Sequence, residues 1–258
     1  MDAEEVRRNR AYFPRGMSQP EGGFRFAADS LLLACYPRPR EGDSFLELGV
    51  GCGAVSLGML LHSGVSDLEG LGVDRDPEMV RAAAENAGRL GLGGRFRAEA
   101  ADVRSVRQSP LIQPESFDLV LFNPPYRRPE QGRRSPAEAK NRACVEEGAG
   151  VGDFVSAASY AVKNKGLVCL VFLAERLTPL MRALAAARLE PKRMRPVHGR
   201  PDRSASQVLL EARKNGGEGL TAEPPLVLYS GENGGLSEDA LRFCPFLGCN
   251  RRQGTEAR

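Results

Sequence analysis

At 258 residues and 41% hydrophobic content, the chain is long enough for one large α/β domain with extensions and too apolar for wholesale disorder. The net charge of +3 is mild and does not announce a nucleic-acid partner, and no window offers the roughly 18 uninterrupted apolar residues of a membrane span. Six scattered cysteines without a C-x2-C pair argue against a disulfide framework, and His62 and His198 lie too far in sequence from Cys244 and Cys249 to call for a metal.

The N-terminus, "MDAEEVRRNRAYFPRG", is charged throughout and lacks the apolar core of a secretory signal, which implies a soluble cytoplasmic protein. Residues 1–40 read as an N-terminal extension. Within it "FAADSLLLACY" predicts a short helix with Asp29 as its cap, and "PRPREG" a linker. A regular alternation then begins. "SFLELGV" is a buried-strand run, and "AVSLGMLLHSG" is helical as far as Gly64. "LEGLGVD" is the second strand. "PEMVRAAAENAGRLG" follows as a helix, with Asp76 as N-cap, Pro77 in its first turn and Gly91 at its close. "RFRAEAAD" and "FDLVLFN" are the third and fourth strands.

Beyond a polar, basic stretch at 127–148, "GDFVSAASYAVKN" predicts a helix, "GLVCLVFLA" a strand and "TPLMRALAAARL" another helix. Two further strands near 192–198 and 206–213 are joined by "HGRPDRSA" and can pair antiparallel. Alternating strands and helices imply a largely parallel sheet covered on both faces. The catalytic unit is expected over 41–214, with 215–258 as a Gly-, Glu- and Pro-rich tail lying on its surface.

The first strand turns into the first following helix through "ELGVGCGA" (47–54). Gly49, Gly51 and Gly53 allow a tight turn and close approach to a ligand at the carboxyl edge of the sheet. This segment satisfies G-x-G-x-x-G/A, so it fits a dinucleotide as well as S-adenosylmethionine. Asp74 ends the second strand about twenty residues on, placed to accept hydrogen bonds from ribose hydroxyls; this too suits either cofactor. Asp102, after the third strand, can reach an adenine amine or cap a helix. Glu47 can hold an ammonium group through water or act structurally.

The fourth strand stops at Asn123-Pro124-Pro125-Tyr126. Two prolines end the strand and stiffen the turn, fixing the Asn123 side-chain oxygen and the Pro124 carbonyl as neighbouring acceptors. Such a pair suits a planar N–H₂ group with two hydrogens to donate. Tyr126 offers a face on which a flat substrate can stack. A nicotinamide enzyme would have no evident task for these acceptors.

Taken together, "ELGVGCG", "GVDRDPEM", "AADV" and "FNPPY" resemble the amino-methyltransferases of the Rossmann-like S-adenosylmethionine-dependent class. More narrowly, "GFRFAADSLLLA", "NPPYRRPEQGRRSPAEAKNRACVE" and "PPLVLYSGENGGLSEDA" resemble the tRNA(Val) adenine-N6 methyltransferase family, over roughly residues 22–240. The resemblance implies a mostly parallel seven-stranded Rossmann-like sheet with helices on both faces, S-adenosyl-L-methionine as cofactor, and methylation of an adenine amine next to the anticodon of a tRNA. By that analogy Asn123, Pro124, Pro125 and Tyr126 hold the target base. Glu47, Gly49, Gly51, Gly53, Asp74, Asp102 and Asn123 surround the cofactor.

Arginines cluster at 7, 8, 10 and 15, again after the proline turn (Arg127, Arg128, Arg133, Arg134), and once more around Arg193, Arg195, Arg200 and Arg203. The middle group is positioned in sequence to meet phosphates flanking an extruded base. Methylation of a protein glutamine in a translation release factor needs the same acceptor pair, and guanine-N2 and DNA-adenine methylation use related motifs. Release-factor enzymes usually carry a helical domain ahead of the core, whereas about 40 residues precede the first strand here. That shortage favours RNA.

Overall fold

Strand β1 (Ser44–Leu48) is buried from its second residue onward, which explains why its sequence shows no polar alternation. A computed structural model describes residues 3–21, 25–125, 149–230 and 234–249. Tyr126, Arg127, Arg128, Arg133 and Arg134 therefore lie outside the described residues. Strands β2 (Glu69–Asp74), β3 (Phe96–Ala100), β4 (Phe117–Phe122) and β5 (Val162–Leu173) run parallel with β1 in the order β3-β2-β1-β4-β5. Strands β6 (Leu189–His198) and β7 (Ala205–Lys214) form the expected antiparallel pair, and β7 lies between β5 and β6. The seven long strands thus follow the order 3-2-1-4-5-7-6. Two short strands, β8 (Thr221–Ala222) and β9 (Leu226–Val227), pair with β6 and raise the described sheet to nine strands.

Alternate residues of each strand feed opposite faces of the sheet. Phe45, Leu119, Leu121, Cys169, Val171 and Leu209 pack on one face against α2 (Ala28–Ala34), α3 (Ala54–His62) and α4 (Pro77–Arg89). Leu46, Leu48, Val120, Phe122, Leu170 and Leu210 pack on the other against α5 (Val151–Ala161) and α6 (Leu177–Ala186). This is a three-layer α/β arrangement.

Asp76 caps α4 as expected, accepting from the Glu78 N–H at 2.9 Å with Pro77 at the first position. Helix α2 begins two residues earlier than Asp29 would allow as a cap. Ala27 holds the N-cap position without a side-chain bond, and Asp29 instead accepts from the Ser30 N–H at 2.7 Å inside the first turn. The predicted strand at 166–174 starts at Val162, and the preceding helix stops at Ala161. Residues 163–166 form a bulge between the pairs Phe117–Val162 and Leu119–Leu167. Only glycine fits at 166, where a Cβ would stand 2.9 Å from the Asp118 carbonyl oxygen.

The N-terminal segment adds α1 (Ala3–Tyr12), whose charged sequence gave no apolar stripe to find. It docks on the end of α4: Arg10 Nε donates to the Leu90 carbonyl at 2.7 Å and Asn9 Nδ2 to that of Arg89 at 3.0 Å. The segment after 214 is not confined to the surface. Leu226, Ala240 and Cys244 are fully buried in the α2–α3 layer, the latter two on or beside α7 (Glu238–Phe243), and a last turn, α8 (Phe246–Cys249), follows.

Candidate active site

The registers place the carboxyl ends of the parallel strands side by side. Leu48 pairs with both Val73 and Phe122, and Asp74 with Ala100. Gly49, Asp74, Ala101 and Asn123 therefore leave the sheet at one edge and nearly one level.

The Gly-rich turn is tied to β2 before it becomes helix. The N–H groups of Gly49 and Val50 both donate to the Val73 carbonyl, at 2.8 and 2.9 Å, and the Gly51 N–H donates to Asp74 Oδ2 at 2.9 Å. Gly49, Gly51 and Gly53 have φ of +73°, +53° and +88°, the left-handed region that side chains avoid, and Gly53 is the N-cap of α3. A Cβ on Gly51 would meet nothing within 4 Å, so the turn borders open space there. A Cβ on Gly49 would press to 3.2 Å from the Phe154 ring, which in turn leans on Phe122 with ring centroids 5.7 Å apart.

Asp74 also accepts from the Asp76 N–H at 3.0 Å, so each of its oxygens holds one backbone donor and keeps lone-pair capacity for another. Burial raises its carboxyl above the usual range, against the pull of those two N–H groups. Glu47 is buried and turned toward α3, where Oε2 accepts from the Ser56 N–H at 2.9 Å and from the Ser56 hydroxyl. Its carboxyl is pushed up to about 8, first by burial and further by the charge on Asp74. Asp102 follows β3 and takes one of the two roles envisaged in sequence: it caps the 3-10 turn Val103–Gln108 through the Arg104 N–H at 2.9 Å. The Arg104 guanidinium, 2.5 Å away, holds its carboxyl low.

Asn123 is half-buried at the tip of β4, Pro124 is buried and Pro125 exposed. Asn123 Nδ2 donates to Ser30 Oγ of α2 at 3.2 Å, a contact between residues 93 apart. Sequence reasoning missed Ser30, Phe154 and Asn86. Ser30 left one signal, an Asp-Ser pair opening an otherwise apolar helix. Asn86 is buried in α4, and its Nδ2 donates to the carbonyls of Cys52 at 2.9 Å and Ser18 at 3.0 Å, bracing the Gly-rich turn. A separate cavity of about 420 Å³, lined by residues including Tyr36, His62, Arg193, Arg195 and Phe243, contains none of the residues above.

A left-handed glycine turn bordering open space, with a carboxylate at the next strand end, suits a nucleoside-bearing cofactor. The chain has the fold of the Rossmann-like S-adenosylmethionine-dependent methyltransferases: the strand order 3-2-1-4-5-7-6 carries that turn at the end of β1, and the Methyltransferase domain family model matches residues 41–168. A solved structure of a predicted O-methyltransferase from Agrobacterium tumefaciens superposes with a TM-score of 0.68 at 20% identity, covering 84% of this chain and 96% of that one.

The sequence relatives are narrower. The chain is 28% identical over 209 residues to a tRNA1(Val) (adenine(37)-N6)-methyltransferase from Actinobacillus succinogenes, covering 81% of this chain and 84% of that protein. It is 39% identical over 83 residues to a release factor glutamine methyltransferase from Caulobacter vibrioides, covering 32% of this chain and 26% of the relative. The resemblance to the tRNA(Val) adenine-N6 methyltransferases thus runs along most of the chain, and that to the glutamine enzymes along a third to a half of it.

Proposed function

We propose that this protein transfers a methyl group from S-adenosylmethionine to the exocyclic N6 amine of an adenine in tRNA, beside the anticodon. The observation that carries the chemistry is the register that sets Asn123 level with Gly49 and Asp74 at one sheet edge. The choice of adenine rests on the extent of similarity to the tRNA enzymes.

In this reading residues 41–214 form the catalytic domain, residues 1–40 an extension and 215–258 a segment packed on it. Gly49, Gly51 and Gly53 border the cofactor, Asp74 accepts from its ribose hydroxyls, and Asp102 from its adenine amine in competition with Arg104. Glu47 acts beneath the turn through Ser56. The cofactor supplies an electrophilic methyl on a sulfonium. The Asn123 side-chain oxygen and the Pro124 carbonyl accept the two hydrogens of the target amine, which weakens the nitrogen's conjugation with the ring and frees its lone pair for attack. The N–CH₃ bond would form as the methyl–sulfur bond breaks and leaves a neutral thioether, and one of those protons, made acidic by methylation, would then pass to solvent, so no strong base is needed. Alignment of nitrogen, methyl and sulfur supplies most of the rate. Tyr126 stacks on the base, and Arg127, Arg128, Arg133 and Arg134 meet the flanking phosphates. The reaction belongs in the cytoplasm; among the described residues no helix is long and apolar enough to cross a membrane.

The test is to incubate the protein and labelled cofactor with total tRNA, and separately with total protein, from cells lacking it. Label in an adenine beside a tRNA anticodon is expected. Label in a release-factor glutamine would replace this reading with the second one.

A further inference from the structure

We propose that Ser30, with Asp29 behind it, is a positioning pair that sets which end of the Asn123 amide faces the target amine. An asparagine amide is nearly symmetric in shape, and its two ends have opposite hydrogen-bonding character. A turn braced by prolines fixes where the amide sits. It does not fix whether the oxygen or the NH₂ points at the substrate, and an amine donating both hydrogens needs the oxygen.

The structure supplies a polar chain that makes this choice. Asn123 Nδ2 donates to Ser30 Oγ at 3.2 Å, and Ser30 Oγ donates to Asp29 Oδ1 at 3.4 Å. Asp29 is itself held in place by the Ser30 N–H at 2.7 Å, and both residues are buried in the first turn of α2. A hydroxyl whose hydrogen is committed to a carboxylate presents lone pairs to its other neighbour. It therefore accepts the NH₂ end of the amide and disfavours the carbonyl end. With Nδ2 anchored on α2, Oδ1 lies on the opposite side of the amide plane's axis. Asp29 thus sets the polarity of Ser30, and Ser30 sets that of Asn123. The pair explains a second feature: a helix otherwise built of Leu31, Leu32, Leu33 and Ala34 opens with two buried polar side chains that do not cap it.

The inference rests on the proposed role of Asn123 as acceptor, so Asn123→Ala is measured first, in single-turnover methylation of unmodified tRNA with labelled S-adenosylmethionine. Its turnover should be lost. In the same assay Ser30→Ala should slow methyl transfer by about tenfold or more, because the amide loses its tie to α2, can turn its NH₂ end to the substrate and is no longer aligned to a fraction of an ångström. Cofactor Kd and the KM for tRNA should stay within about twofold, since neither ligand loses a contact. Ser30→Thr keeps the hydroxyl and should restore the rate. Asp29→Ala removes the acceptor of the Ser30 hydroxyl, frees its hydrogen to turn toward Asn123 and should also slow the reaction; this variant carries the test if Ser30→Ala does not fold. Wild-type rates in Ser30→Ala and Asp29→Ala beside a dead Asn123→Ala would overturn the positioning role alone. An active Asn123→Ala would overturn the acceptor reading and this inference with it. A loss in Ser30→Ala that appears as weaker cofactor binding, or that threonine does not rescue, would assign the pair a structural role.

Discussion

Glu47 carries a carboxyl group into the interior, 1% exposed, beneath the turn that the cofactor would border. Two donors from Ser56 favour its charged form, and burial opposes them more strongly, leaving the group with a pKa of about 8. The consequence for stability follows from linkage. The folded value lies above the unfolded one, so the folded state retains a proton that the unfolded state releases. The associated stability is fully present below the unfolded value near 4.5 and is lost as pH rises through about 8. Within that window one such group lowers unfolding free energy by about 1.4 kcal/mol per pH unit. Glu47→Gln keeps the shape and an acceptor for Ser56 without the ionisation. Urea unfolding of the two proteins between pH 5 and 8 should show the variant gaining steadily on the parent as pH rises. Parallel stability curves would mean that Glu47 stays charged in the fold. Asp74 shifts in the same direction, so its contribution to stability carries the same sign.

At the scale of elements, local chemistry decided what could be read in advance. Helix α4 was legible because Asp76, Pro77 and Gly91 punctuate it, and β1 and β4 because parallel strands covered on both faces are unbroken apolar runs. The positions of Gly49, Asp74 and Asn123 followed from those strands, since register carries each to the same edge. Helix α1 stayed hidden because it has no buried side chain and is held by Asn9 and Arg10 on carbonyls about 80 residues away. The start of β5 was misjudged because the bulge at 163–166 breaks the period on which strand reading depends. Ser30 and Asn86 act across 93 and 34 residues, distances at which spacing says nothing. Asn86 shows how much one such contact can join. Its side chain receives the Ser18 N–H at 2.7 Å and donates to the carbonyls of Ser18 and Cys52, so α4, the N-terminal segment and the Gly-rich turn share one amide. Asn86→Ala strands the buried carbonyl of Cys52 and two part-buried backbone groups of Ser18, and should cost about 1–3 kcal/mol. It should also weaken S-adenosylmethionine binding measured by calorimetry, whereas disruption confined to the N-terminal segment would lower the melting temperature and leave Kd unchanged.

Across the whole molecule, the parts least legible in sequence converge on one buried charge. Arg193 in the middle of β6 pairs with Glu211 of β7 at 2.9 Å and with Glu223 beyond β8 at 3.2 Å, and donates to the Tyr36 carbonyl at 3.0 Å. Its guanidinium also lies 4.0 Å from the centre of the Tyr36 ring. The linker after α2, the antiparallel hairpin and the C-terminal segment are thereby joined at a single side chain. In the sequence this arginine belongs to the third basic cluster, but with its side chain 11% exposed between two carboxylates it is spoken for inside the fold. Removing one partner of such a group is more damaging than never having built it, because the other charges stay buried without compensation. Arg193→Ala should therefore lower unfolding free energy by about 3–5 kcal/mol in urea titrations. The double variant Arg193→Met, Glu211→Leu removes both members of the tighter pair and should recover a substantial part of that loss. Recovery would identify the cost as stranded charge. If the double variant were no more stable than Arg193→Ala, the loss would belong to the contacts of Arg193 with Tyr36 and Glu223, and the C-terminal segment should then be the first region to gain hydrogen exchange in both proteins.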